Sequence, residues 1–230
     1  SFNANTGSGT MSDQGIAFYT SEILTANAFT KAGYSFAGWN TQADGGGSSY
    51  ADEATYGPMG ASNVTLYAQW SANTYYVSFD ANTGSGTMTD QGIVYGADAT
   101  LNSNTFTKTG YSFAGWNTVA NGSGASYANA ATFTMSTFGA TLYAQWSINQ
   151  YSIAFNSNGG SAVADIYEDY GTEVPAPSNP TKPGHNFVGW YTDAELTDAV
   201  TWPYTLTGDV TFYAKWAVST VTITFDANGG

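Results

Sequence analysis

"GYSFAGWNT" occupies residues 33–41 and returns letter for letter at 110–118; "GHNFVGWYT" at 184–192 is a looser copy. Outward from this phrase, the rest of the chain repeats as well. Phe2, Phe79, Phe155 and Phe225 are spaced by 77, 76 and 70 residues and open "NANTG", "DANTG", "NSNGG" and "DANGG". Trp39, Trp116 and Trp190 are spaced by 77 and 74. Trp70, Trp146 and Trp216 close "TLYAQW", "TLYAQW" and "TFYAKW". Self-similarity at a fixed period marks a repeat architecture and takes precedence over any local motif. The period divides the chain into repeats at 1–71, 72–147 and 148–217, with 218–230 as the first strand of a further copy.

Each repeat reads as β structure. In "YYVSFD", Tyr75, Val77 and Phe79 alternate with Tyr76, Ser78 and Asp80. "YSIAFN" and "VTITFD" repeat the pattern through Ile153 and Ile223. The closing phrase places Val64, Leu66, Ala68 and Trp70 on one face and Thr65, Tyr67 and Gln69 on the other. Such alternation marks strands with one buried face. In residues 34–39, simple alternation puts Tyr34 and Phe36 on one face and Ala37 and Trp39 on the other, which predicts a strand packed on both sides. Gly38 inside that strand signals a bulge or a close backbone approach. The expected core is Phe36, Trp39 and Trp70, with Phe79, Phe113, Trp116 and Trp146, then Phe155, Phe187, Trp190 and Trp216. The step from the closing Trp to the next strand is always five residues, as from Trp70 to Tyr75 and from Trp146 to Tyr151. Short linkers of constant length predict a semi-rigid rod.

Composition narrows function. Charged residues are 9% of the chain, against roughly a quarter in typical domains, while aromatics are 16%. Disordered segments are poor in aromatics, so this chain is expected to fold. The net charge of −13 argues against nucleic acid and anionic membranes, which require clustered cations. No stretch reaches the roughly 20 apolar residues of a membrane-spanning helix. The absence of Cys excludes disulfides and thiolate metal sites, and with the polar, aromatic-rich composition it fits an exported protein.

The phrases "F-x-x-N-G-G" at 155–160, "P-x-x-P-T-K-P-G-x-x-F-x-G-W-Y-T" at 177–192 and "D-V-T-F-Y-A-K-W" at 209–216 resemble the Listeria–Bacteroides repeat, the B-repeat of internalin-type surface proteins. The resemblance covers the whole chain and is strongest in the third repeat. It implies mainly β architecture: small α+β modules of β-grasp type, with a curved sheet and at most a short helix. It also implies tandem copies in large secreted or wall-attached bacterial proteins, often adhesins. The first two repeats depart from the pattern through "NTGSGTM" and the insertions "ADGGGSSY" (43–50) and "ANGSGASY" (120–127).

Chemistry-bearing residues are few. His185 is the sole histidine and occupies the slot of Tyr34 and Tyr111, which fits packing; no His-based dyad recurs across the repeats. Asp165, Glu168, Asp169 and Glu173 are the candidates for a carboxylate pair of the kind that cleaves glycosides, but the other repeats do not match them, and they read as solvated surface. Asp80, Asn82 and Asp90 form a weak calcium candidate. The competing reading of that segment is a turn of Asn and Gly, residues that tolerate positive φ. Lys31, Lys108 and Lys182 precede the core strand; Lys215, the candidate for an isopeptide crosslink, is replaced by Gln69 and Gln145 elsewhere. Tyr50, Tyr127, Tyr191 and Trp202, near the variable loops, are the aromatics that could stack on a ligand.

No catalytic residue and no cofactor is expected. The expected function is that of a structural spacer in an extracellular bacterial repeat protein, an adhesin stalk or surface filament, at the cell surface or secreted. Its partners would be neighbouring repeats of the same or an identical chain. The alternative is a module that binds carbohydrate or a host protein through its variable loops. The parent protein is expected to continue in both directions; alternatively, one molecule's C-terminal strand completes another's first repeat by strand addition.

Overall fold

The alternating phrases become the central strands of three sheets, one in each repeat. The computed structural model describes residues 1–136 and 138–226. The first repeat holds β1 (Phe2–Asn3), β2 (Glu22–Ile23), β3 (Tyr34–Asn40), β4 (Ser49–Tyr50), β5 (Thr55–Tyr56) and β6 (Leu66–Ala72). The second holds β7 (Thr74–Asp80), β8 (Gln91–Val94), β9 (Asp98–Thr100), β10 (Tyr111–Asn117), β11 (Ser126–Tyr127), β12 (Thr132–Thr134) and β13 (Ala140–Ile148). The third holds β14 (Gln150–Asn156), β15 (Ile166–Asp169), β16 (Glu173–Val174), β17 (His185–Tyr191), β18 (Tyr204–Thr205) and β19 (Val210–Val218).

The sheet orders are β1-β6-β3-β4, β11-β10-β13-β7-β8 and β15-β14-β19-β17. In every repeat the first strand lies parallel to the last: Phe2 faces Leu66, Val77 faces Ala140 and Ile153 faces Val210. In the first and third repeats the phrase strand runs antiparallel to the last strand, and in the second it is likewise that strand's neighbour. Small two-stranded sheets, β2·β5, β9·β12 and β16·β18, complete the repeats. By compactness the chain groups into two units. One comprises Ser1–Asn82, Gly86–Phe106 and Gly115–Gln145; the other comprises Thr83–Ser85, Thr107–Ala114 and the chain from Trp146 onward.

The fold is mainly β, as expected, but no described residue is helical, so the short helix of the expected α+β module is not present among them. The segments between the first strand and the phrase strand, where a helix would fit, are rich in Gly, Asn, Thr and Ser. These residues compete with the helix through local hydrogen bonds or backbone entropy. They form the two-stranded sheets and turns instead. The strand expected at the start of 218–230 is not formed either. Residues 219–226 make no ladder, and Val221, Ile223 and Phe225 are exposed. Residues 227–230 lie outside the described residues.

The expected two-sided packing of the phrase strand is corrected by a bulge. The register shifts between Phe36 and Gly38, so Phe36 and Trp39 turn to the same side, with ring centroids 4.9 Å apart, and Ala37 faces solvent. Gly38 takes φ +131°, and a Cβ there would stand 2.7 Å from the Tyr50 carbonyl oxygen. Trp39 and Trp116 are fully buried and Trp190 nearly so. Phe2, Phe36 and Trp70 pack on the first core, and Phe155, Phe187 and Trp216 on the third. Phe79 meets Trp116 at 4.9 Å, and Phe113 meets Trp146 at 5.7 Å. The short strands and loops add Leu24, Leu101, Val174 and Leu206, all buried.

Candidate functional site

A closely specified polar constellation lies where one repeat passes into the next, and it is built twice. Asn73 links β6 to β7. Its N–H donates to the Gly33 carbonyl (2.9 Å), and its carbonyl accepts from the Tyr95 N–H (2.8 Å). Its Oδ1 accepts from the Ser35 hydroxyl at 2.6 Å, and its Nδ2 reaches the Tyr75 hydroxyl at 3.4 Å. Asn149 makes the same set with Gly110, Tyr170, Ser112 and Tyr151, at 2.9, 2.8, 2.7 and 3.4 Å. One asparagine, through its side chain and its two flanking peptide units, thus ties two repeats together.

An aromatic socket lies beside each asparagine. Gly33 and Gly110 adopt φ +79° and +77°. A Cβ on either would stand only 2.0–2.5 Å from ring atoms of Tyr95 or Tyr170. Tyr34 closes the first socket edge-on, 5.8 Å from Tyr95 at 78°. The initial Gly of the repeated phrase is therefore required on two counts: by the left-handed backbone and by the neighbouring ring. At Gly184 the same backbone recurs, φ +72°, and Ser219 replaces the linking asparagine, its N–H donating to the Gly184 carbonyl at 2.9 Å.

A second recurring device is the turn after the first strand. Asn5, Asn82 and Asn158 take φ +46°, +45° and +48°. Each backbone N–H donates to the side chain two residues earlier: Asn3, Asp80 or Asn156. Each Nδ2 then reaches across to the last strand, donating to the carbonyls of Ala68, Ala144 and Ala214 at 2.9, 2.8 and 2.8 Å. This is where the calcium candidates fall. The Asp80 carboxylate accepts a backbone N–H, and the Asn82 amide bridges Ala120 and Ala144. No group of three or more His, Cys, Asp or Glu capable of holding a metal occurs among the described residues.

Lysines close the same turns. Lys31 and Lys108 donate to the hydroxyls of Thr6 and Thr83 at 2.9 and 2.8 Å, and lie 4.2 and 4.3 Å from the ring centroids of Tyr34 and Tyr111. Lys182 donates to the Asn158 carbonyl. Lys215, the crosslink candidate, donates to the Leu196 carbonyl and lies over the Tyr191 ring.

The insertions are organised by two buried asparagines that periodicity does not reveal. Asn40 is fully buried; its amide donates to the Gly45 and Gly47 carbonyls and the Ser49 hydroxyl, and its oxygen accepts from the N–H groups of Gln42 and Gly47. Asn117 repeats the set with Gly122, Gly124, Ser126 and Val119. The available signal was the shared phrase "GWNT" before both insertions and its change to "GWYT" in the third repeat. There Asp193 braces the loop. The N–H groups of Thr197 and Asp198 hold its carboxyl below the usual range, backbone donation from Thr197 contributing most.

The four ligand candidates are half-buried parts of their own repeats. Tyr50 packs on Tyr56 at 4.8 Å, and Tyr127 on Phe133 at 5.2 Å. Burial, then the neighbouring Tyr50, raises the Tyr56 phenol above its ordinary value. Tyr191 lies under Lys215, and Trp202 meets Phe212 edge-on at 5.7 Å. His185 Nδ1 lies 2.9 Å from the Pro183 carbonyl. Asp165, Glu168, Asp169 and Glu173 lie on or beside the outer strands β15 and β16. A cleft of about 200 Å³ in the first repeat is lined by Phe2, Gln14, Ile16 and Leu24 with a single acid, Asp13.

Three sheets of one design, joined by one device, define a tandem β-repeat protein. The chain belongs to the Listeria–Bacteroides repeat family, whose sequence profile matches residues 1–69, 75–145 and 151–215. It is 44% identical over 225 residues to a protein of Evansella cellulosilytica named as a Gly-rich membrane protein, covering 91% of this chain and 25% of that protein. A second Evansella cellulosilytica protein, named as a membrane protein, is 39% identical over 73% of this chain and 24% of its own length. Internalin H of Listeria monocytogenes is 35% identical over 114 residues, 48% of this chain and 20% of that protein. The chain thus spans about a quarter of the length of the first relatives it matches.

Proposed function

We propose that this chain is a non-catalytic spacer segment of an extracellular bacterial repeat protein, an adhesin stalk or surface filament. Its working partners are neighbouring repeats of the same or an identical chain. One observation carries the reading: the connection between repeats is specified atom by atom, and the same set is built at Asn73 and at Asn149. A linker that only tethered two binding modules would need no such set. The names of the relatives, two membrane proteins and an internalin, support placement at the cell surface. The acidic composition favours solubility.

The test is reach. A reporter epitope displayed on a bacterial surface above one, two or three copies of this 230-residue chain should rise from the membrane in equal steps, measured by distance-dependent fluorescence quenching. A height that does not depend on copy number would overturn the spacer role.

A further inference from the structure

We infer that the second and third repeats resist tension, because each places its entry and exit strands side by side in parallel. The chain enters the second repeat at the start of β7 and leaves it at the end of β13. These strands are neighbours, with Val77, Ser78, Phe79 and Asp80 opposite Ala140, Thr141, Leu142 and Tyr143. In the third repeat, Ile153 to Asn156 of β14 face Val210 to Tyr213 of β19. Two parallel strands pulled at opposite ends slide past each other. The evenly spaced bonds of a parallel ladder are then loaded together. An antiparallel pair pulled from its two free ends opens one bond at a time.

Three features oppose the slide. Val77 and Leu142, and Ile153 and Phe212, are fully buried on these strands, so movement along the strand axis must drag packed side chains out of a dense core. The Asn82 and Asn158 amides extend the ladders past the ends of β7 and β14 by bonding the carbonyls of Ala144 and Ala214, each at 2.8 Å. At the entry points, Asn73 and Asn149 are pinned by bonds on both sides of the joint. The asparagine turn conserves its cross-strand bond while its neighbours change from Ala-Asn-Thr to Ser-Asn-Gly, consistent with a fixed mechanical part. The biological use of this clamp, holding a surface spacer under flow or adhesion, rests on the spacer reading; the shear geometry does not.

The absence of cysteine allows the load direction to be chosen. Handles on Thr74→Cys and Ile148→Cys pull β7 and β13 in shear. Handles on Ser78→Cys and Thr141→Cys, which face each other across the ladder, pull the same pair apart sideways from one end. Thr74, Ile148 and Thr141 are exposed and Ser78 is half-buried. Single-molecule force spectroscopy should find the first pair unfolding at several-fold higher force at equal pulling speed, since forced rupture follows the unfolding rate along the loaded path. Each rupture should release roughly 250 Å of chain, at about 3.5 Å per residue. Asn82→Gly, which keeps the left-handed backbone but removes the cross-strand amide, should lower the shear force and leave the peeling force unchanged. Equal forces in the two directions would overturn the clamp. A clamp that holds in a chain whose copies add no height would leave this inference standing and remove the spacer role; equal steps in height with equal forces would do the reverse.

Discussion

Gly33 and Gly110 each sit under a tyrosine ring contributed by the following repeat, in a backbone region that L-residues enter at a cost of about 1–2 kcal/mol. Gly96 shares the backbone, φ +78°, but has open space around it. Gly96→Ala should therefore cost only the strain. Gly110→Ala must also displace Tyr170 and should cost on the order of 1–3 kcal/mol more in urea denaturation. Equal costs would show that the socket contributes nothing. Asn117 is a second decisive residue. Asn117→Ala strands the carbonyls of Gly122 and Gly124 and the N–H groups of Val119 and Gly124, a loss of about 3 kcal/mol or more. Faster amide exchange at Val119 and Gly124 would accompany it, and unchanged exchange would sink the assignment. Asp193 carries a pH dependence. Its folded-state pKa is depressed by the donors of Thr197 and Asp198, so its contribution is present above the ordinary aspartate value and is lost as pH falls through the lowered one. The amide shifts of Thr197 and Asp198 should titrate with a midpoint below about 3.9; a midpoint at or above it contradicts the bond geometry.

Elements were legible where the two-residue period ran unbroken. The closing phrase delivered its expected face, with Leu66 and Ala68 buried as Phe212 and Ala214 are. The phrase strand was misread because a bulge adds a residue, and a one-residue shift moves a side chain to the opposite face. Gly38 carried the warning, but a glycine does not say which of its neighbours turns. The parallel pairing of first and last strands was not readable from pattern, since alternation is the same in either direction. At this scale, Leu142→Ala, at a fully buried position of the parallel ladder, should cost about 3 kcal/mol. Tyr76→Ala, on the exposed face of the neighbouring strand, should stay within about 0.5 kcal/mol. Similar costs for both would mean that the ladder does not form the core of its repeat.

For the whole molecule the dominant global quantity is the net charge of −13, from 17 acids against 4 lysines. Each lysine is held by a hydrogen bond to a hydroxyl or a carbonyl, so none of these bonds directly neutralises an acid. Self-repulsion should lower stability at low ionic strength. Raising salt from about 0.01 M to 1 M shortens the screening length from about 30 Å to 3 Å and should raise the midpoint of thermal unfolding at pH 7. A fall would mean that the lysine contacts outweigh the repulsion.

The sequence alone determined that the chain is mainly β and built of three tandem repeats. These follow from local alternation and from period, both written along one dimension. Tertiary structure decided which strands are neighbours, that Phe36 and Trp39 share a face, and that Asn73, Asn117 and Asn149 organise joints and loops. A hydrogen bond from Asn149 to Ser112 spans 37 residues, and nothing local to either residue distinguishes it from the many other Asn and Ser side chains until the fold brings the two within reach.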